Sequence, residues 1–181
     1  MSFSISSPAP LVVVMGVCGC GKSSVGAALA ARNGWAFVEG DELHPPANVA
    51  RMAQGQPLTD ADRHGWLATI GERLAEAARA GDGLVVSCSA LKRAYRDQLA
   101  AASPRVMFLH LAGDRALIEA RMAARAGHFM PLSLIDSQFA TLEPPGADER
   151  AVTLSIDMPP EALVEDAERR LAGLDQREPA P

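Results

Sequence analysis

Cysteine, lysine and aromatic residues are all scarce in this chain, and each scarcity excludes something. Three cysteines, Cys18, Cys20 and Cys88, among 181 residues make no disulfide framework. The Cys18-x-Cys20 pair supplies only two ligands, which by themselves do not make a structural zinc site. A reducing compartment, the cytoplasm, suits free thiols. No stretch of 18 apolar residues appears, so no membrane span is expected. The first ten residues lack the basic segment that opens a secretory signal. A formal net charge of -5 argues against a general nucleic-acid-binding surface, so an anion site has to be a local basic pocket. Of 17 basic residues only Lys22 and Lys92 are lysine. Arginine serves everywhere else, which marks both lysines as positions where a compact ammonium is wanted.

What is present fits one α/β domain. Hydrophobic residues make up 48% of the chain and charged residues 22%, enough for a core under a polar surface. Residues 1–9 read as a disordered arm, 10–175 as a single domain and 176–181 as a frayed tail. The organising stretch is Gly16-Val17-Cys18-Gly19-Cys20-Gly21-Lys22-Ser23. It follows the apolar run Leu11–Met15 and opens the Ala-rich segment Ser24–Arg32. Strand, glycine loop, helix is the context that makes G-x-x-x-x-G-K-S a phosphate loop. Glycines let backbone N–H groups approach phosphate oxygens, and the helix aims its positive end at the same place. The amides of residues 16 to 24 are the expected nucleotide cradle. Lys22 is expected at the β- and γ-phosphates, and the Ser23 hydroxyl on Mg²⁺.

Downstream, apolar runs predict strands at Trp35–Glu39, Leu84–Cys88, Arg105–Leu111 and Ala151–Ile156. Helical segments alternate with them, including one capped by Thr59 with Asp62 three residues on and one capped by Ser89. Asn33-Gly34 suits a left-handed helix end. Alternation predicts a five-stranded parallel sheet with helices on both faces and ligands at the carboxyl ends of the strands. Gly16, Asp41, Ser89 and Gly113 then point towards one rim.

Candidate chemistry gathers there. Asp41 follows strand two and is placed to orient or deprotonate an attacking hydroxyl, or to hold Mg²⁺ through water. Strand three carries no D-x-x-G acid, so Asp41 leads by elimination. His44, Asn48, Arg51, Asp60 and Arg63 lie where a lid over a second substrate belongs, and Arg51 suits an anionic group. Lys92 and Arg96, four apart, read as one basic helix face for a carboxylate or phosphate. Arg121 and Arg125 repeat that spacing before a Gly-containing loop with His128. Such a pair, closing over a triphosphate, spreads the charge that develops on the γ-phosphoryl group.

Several segments together resemble the bacterial-type gluconokinases, from about Leu11 to Leu174. They are Gly40-Asp41-x-x-His44-Pro45, Asn48, Arg51-Met52, Gly55-x-Pro57-Leu58-x-Asp60-x-Asp62-Arg63, Trp66, Cys88-Ser89-Ala90-Leu91-Lys92-x-x-Tyr95-Arg96-Asp97, Gly127-His128-Phe129, Gln138-Phe139-x-Thr141-Leu142-Glu143 and Gly146-Ala147-Asp148-Glu149. The resemblance implies ATP-dependent 6-phosphorylation of D-gluconate and a fold like the adenylate and shikimate kinases with lid segments. It also implies ATP and Mg²⁺ as cofactors and a homodimer. Cys18 and Cys20 depart from the serines common in that family. From the residues alone, two other readings stay open: another small-molecule kinase of this build, or a nucleotide switch without phosphotransfer. Eight aromatic residues leave little for a nucleobase slot.

Overall fold

The computed structural model describes residues 8–54, 56–124 and 132–176, the side chains of 132–134 excepted. Five strands make the sheet: β1 (Leu11–Met15), β2 (Ala36–Glu39), β3 (Leu84–Ser87), β4 (Val106–Ala112) and β5 (Ala151–Ser155). All pairs are parallel, in the order β2-β3-β1-β4-β5. The helices are α1 (Lys22–Asn33), α2 (Pro46–Ala53), α3 (Asp60–Ala80), α4 (Arg93–Ala100), α5 (Arg115–Ala123), α6 (Leu132–Thr141) and α7 (Pro160–Asp175).

β1 is the central strand, and its uninterrupted apolar run reflects burial on both faces. Val12 and Val14 face one cluster with Leu29 of α1, Leu109 of β4 and Leu163 and Leu171 of α7. Leu11, Val13 and Met15 face another with Trp66, Ile70 and Leu74 of α3 and Leu99 of α4. Each such fully buried aliphatic side chain contributes about 1.5–3 kcal/mol through removal from water. The two-faced core fixes where the strands end, and so where the rim lies.

Local signals explain most element ends. Gly34 closes α1 at φ 69 and accepts no side-chain substitute without strain. Thr59 and Asp62 form a reciprocal capping box at the start of α3. One expectation is corrected. Ser89 caps no helix: Ala90 stands at φ 42, and α4 begins only at Arg93, after Lys92. Beyond β2 the chain makes a 3₁₀ turn, Gly40–Leu43. Residues 1–7 of the expected arm, the expected Gly-containing loop with His128, and the tail beyond 176 lie outside the described residues.

Candidate active site

The rim is built where β1, β2 and β3 end. Gly16, Gly19 and Gly21 all stand in the left-handed region, at φ 139, 83 and 98. A Cβ on Gly16 would come within 2.7 Å of Leu111 O, and one on Gly19 within 2.7 Å of Met122 Sδ. The loop can therefore take this path only with glycine at those places. Its last residue, Gly21, is the N-cap of α1 and provides no side-chain cap, and the first turn holds no acid. The opening N–H groups of α1 are left for an external anion, the condition a phosphate site needs. The donors fit a triphosphate: Lys22 Nζ rests 3.1 Å from Val17 O, and Ser23 is exposed in the first turn. The Cys18 amide donates to Gln138 Oε1 at 2.6 Å. Burial pushes the Cys20 thiol up, so it stays protonated beneath the loop and behaves as a small packing group.

Asp41 is exposed in the 3₁₀ turn beside the loop. Its charge and that of Lys22 both act on Cys88, whose thiol burial pushes up to about 12. The Asp41 turn is joined to the end of β3 through Gly40 N and Ser87 Oγ, and the phosphate loop through Gly16 N and Ser89 O at 3.2 Å, so both border one rim. The turn is held rigidly. Gly40 N donates to Ser87 Oγ at 3.1 Å, Ser87 Oγ donates in turn to Glu39, and Trp66 Nε1 donates to Gly40 O at 2.7 Å.

Trp66 has a second task. His44 stacks on it with centroids 4.1 Å apart and planes 15° from parallel. Burial lowers the His44 pKa against the pull of Asp41, so the ring is neutral at pH 7. Its Nδ1 lies 3.4 Å from Asn48 Nδ2, which can only donate, so Nδ1 accepts and Nε2 carries the proton. Asn48 also donates to Asp62 O at 2.9 Å.

Lys92, at the head of α4, donates to both oxygens of Asp60 at 3.0 and 2.9 Å. Tyr95 donates its hydroxyl to Asp60 Oδ1 at 2.5 Å. These hydrogen bonds, Tyr95 first, hold the Asp60 carboxyl below its usual range, and Asp60 raises Lys92 in return. Arg63 lies over the Tyr95 ring at 5.8 Å and donates to Leu58 O at 2.6 Å. Arg51 reaches Asp62 at 3.6 Å, while its buried Nε has no hydrogen-bond partner among the described residues.

Arg96 is a correction. It does not share an open face with Lys92, because Lys92 precedes the helix and Arg96 is buried within it, 1% exposed. Its Nε and Nη2 donate to Glu149 at 2.5 and 2.9 Å. Its Nη1 donates to Ala90 O and Leu91 O at 3.1 and 3.4 Å. With four of its five N–H groups engaged and the side chain buried, this guanidinium is closed to a substrate; it holds the post-β3 segment, including the left-handed Ala90, in shape. Arg121 lies beside the loop, 4.0 Å from where a Gly21 Cβ would stand, and donates to Ile156 O at 2.6 Å. Arg125 and His128 lie outside the described residues. Among the described residues no cluster of three or more His, Cys, Asp or Glu is arranged to hold a metal.

Sequence reasoning passed over Tyr95, Trp66 and Gln138 as site residues. All three stood in the quoted segments without a role.

A glycine cradle ahead of a helix, on a parallel α/β sheet, with a carboxylate and a polar pocket beside it, defines a P-loop kinase. Residues 11–145 match the family described as AAA domain. The chain is 49% identical to a gluconokinase of Gluconobacter oxydans (strain 621H), over 91% of this chain and 92% of that one. It is 43% identical to the thermoresistant gluconokinase of Escherichia coli (strain K12), over 85% and 89%. The crystal structure of a gluconokinase from Sinorhizobium meliloti 1021 superposes with a TM-score of 0.86 at 47% identity, covering 94% of this chain and 95% of that one. The chain belongs to the gluconokinase family of P-loop kinases. No helix among the described residues is long and apolar enough to cross a membrane.

Proposed function

We propose that this protein transfers the γ-phosphoryl group of ATP to the primary hydroxyl of D-gluconate, giving 6-phosphogluconate and ADP. The observation that carries the reading is the hydrogen-bonded polar cluster on the segments after β2 and β3. Asp60, Tyr95, Lys92, His44 and Asn48 alternate donors and acceptors, as a hydroxyl-rich acid requires. The family's relatives named gluconokinase support the same substrate.

In this reading the loop amides of Gly19 and of Gly21 to Ser24, with Lys22, hold ATP, while those of Gly16, Cys18 and Cys20 are given to Ser89 O, Gln138 Oε1 and Val17 O. The Ser23 hydroxyl would hold Mg²⁺, which would supply charge neutralisation at the phosphates. Asp41 aligns the attacking hydroxyl and accepts its proton late, because the transition state is loose. Lys92 has three donors and gives two to Asp60, so one remains for the gluconate carboxylate, with Arg51 and Arg63 flanking. Neutral His44 donates from Nε2 to a substrate oxygen. Arg121 and Arg125 close over the phosphates, and His128 serves the gluconate. A cytoplasmic homodimer completes the proposal.

A nucleoside acceptor fits less well. The Trp66 face is taken by His44, and Tyr95 is 7% exposed beneath Arg63 and Lys92, so neither of these two rings offers a base an open face among the described residues. The deciding experiment is ADP release from MgATP with gluconate, other sugar acids, shikimate and AMP offered in turn. Gluconate-dependent turnover is the expected result. Turnover with AMP or shikimate but not gluconate would remove the proposal, and ATP binding without any acceptor-dependent turnover would favour a switch.

A further inference from the structure

The peptide unit joining Val17 to Cys18 is held at both ends. Its carbonyl accepts from Lys22 Nζ at 3.1 Å, and its N–H donates to Gln138 Oε1 at 2.6 Å, from a residue 120 positions away. The N–H and C=O of a trans peptide point in opposite directions, so the two contacts together fix the plane of the unit. Gly16 and Gly19 flank it at φ 139 and 83. Glycine torsions give little resistance to rotation, so the plane needs an outside hold.

Gln138 has a firm support for that task. One turn earlier in α6, Ile135 is 1% exposed in the core, and Phe139 and Leu142 pack against the same cluster. Beyond the helix, Glu143 N donates to Leu91 O at 2.8 Å, and Glu143 Oε2 accepts from Arg93 N at 2.6 Å. The carboxamide therefore stands on a helix tied to the β1 face and to the segment after β3. Because the Cys18 amide only donates, the group that meets it has to be an acceptor.

We propose that Gln138 is a positioning residue for phosphoryl transfer. Its side-chain oxygen sets the Val17–Cys18 peptide plane, and through the Val17 carbonyl it sets the resting place of the Lys22 ammonium at the β/γ end of the cradle. The proposal rests on the ATP-dependent gluconokinase reading above.

Gln138→Leu removes the acceptor, and Gln138→Glu keeps one on a stem of equal length. For Gln138→Leu, kcat/KM for ATP falls roughly 10- to 100-fold, the scale of a small misplacement of reacting groups. The KM for gluconate stays within about twofold in the same enzyme. Gln138→Glu recovers most of the loss. With only three cysteines, [¹⁵N]cysteine labelling yields three backbone amide signals. The Cys18 amide exchanges slowly in the wild type and in Gln138→Glu and rapidly in Gln138→Leu, while the buried Cys88 amide stays protected as the fold control. Wild-type ATP kinetics in Gln138→Leu, an unchanged Cys18 exchange rate, or a Gln138→Glu enzyme as impaired as Gln138→Leu would overturn the inference. A wild type that uses ATP with some other acceptor would sink the gluconate reading alone, because the exchange measurement does not depend on the acceptor.

Discussion

Replacing Arg96 with Met should cost stability and leave gluconate binding nearly intact. Arg96 and Glu149 form a two-point ion pair with side-chain exposures of 1% and 6%. Removing one member of such a pair strands the other charge and costs about 3–5 kcal/mol. In Arg96→Met the stranded Glu149 still accepts from Gly146 N at 2.8 Å and lies 3.7 Å from Arg93 Nη1, so the low end, about 3 kcal/mol, applies. For a protein of this length that lowers Tm by roughly 6–12 °C. The double variant Arg96→Met/Glu149→Leu should recover much of the loss, since an apolar pair of similar volume strands no charge. The pair also sets an acid limit. Burial by itself raises the Glu149 carboxyl, but its hydrogen bonds from Arg96 and Gly146 prevail and hold it below the ordinary 4.5. The folded state thus binds fewer protons than the unfolded one. The contribution is complete above that value and is lost as pH falls through the folded pKa. Urea titrations between pH 7 and pH 3, with gluconate kinetics at pH 7, measure both effects. An Arg96→Met protein as stable as the wild type, with a gluconate KM raised tenfold or more, would refute the structural role and return Arg96 to the substrate.

Three further outcomes are expected. Asp41→Asn should lower kcat by about 10²–10⁴ with a small change in ATP affinity, the usual range for losing a proton acceptor; steady-state kinetics test it, and a near-wild-type kcat would free Asp41 from that role. Lys92→Met should raise the gluconate KM by roughly 10- to 100-fold, the value of a charged hydrogen bond, whereas an unchanged KM would leave Lys92 as the partner of Asp60 only. Gly40→Ala should destabilise the protein by about 1–3 kcal/mol, because its Cβ would stand 2.0 Å from Ser87 O; thermal unfolding reads this directly, and an unchanged Tm would mean the β2–β3 rim yields easily.

Legibility in the sequence followed the range of the interaction. Short-range chemistry was readable. The glycines of the phosphate loop, the Thr59–Asp62 cap and the Gly34 helix end each depend on neighbours within a few residues. β1 was readable because a strand buried on both faces is apolar throughout. Ser89 misled, since it has the right side chain for a cap but precedes a left-handed Ala90, whose carbonyl is turned onto Arg96. Lys92 and Arg96 looked equivalent at their four-residue spacing. Only Glu149, 53 positions beyond Arg96, separates them.

The sequence by itself determined that a triphosphate-binding loop precedes a helix on a parallel sheet, because backbone conformation and glycine geometry are local properties. Tertiary structure decided which charges remain open to a substrate, that Trp66 is the plate beneath His44, and that Gln138 meets the Cys18 amide. Those outcomes depend on burial and on partners far apart in the chain, and a side chain's availability is settled only when its distant neighbours arrive.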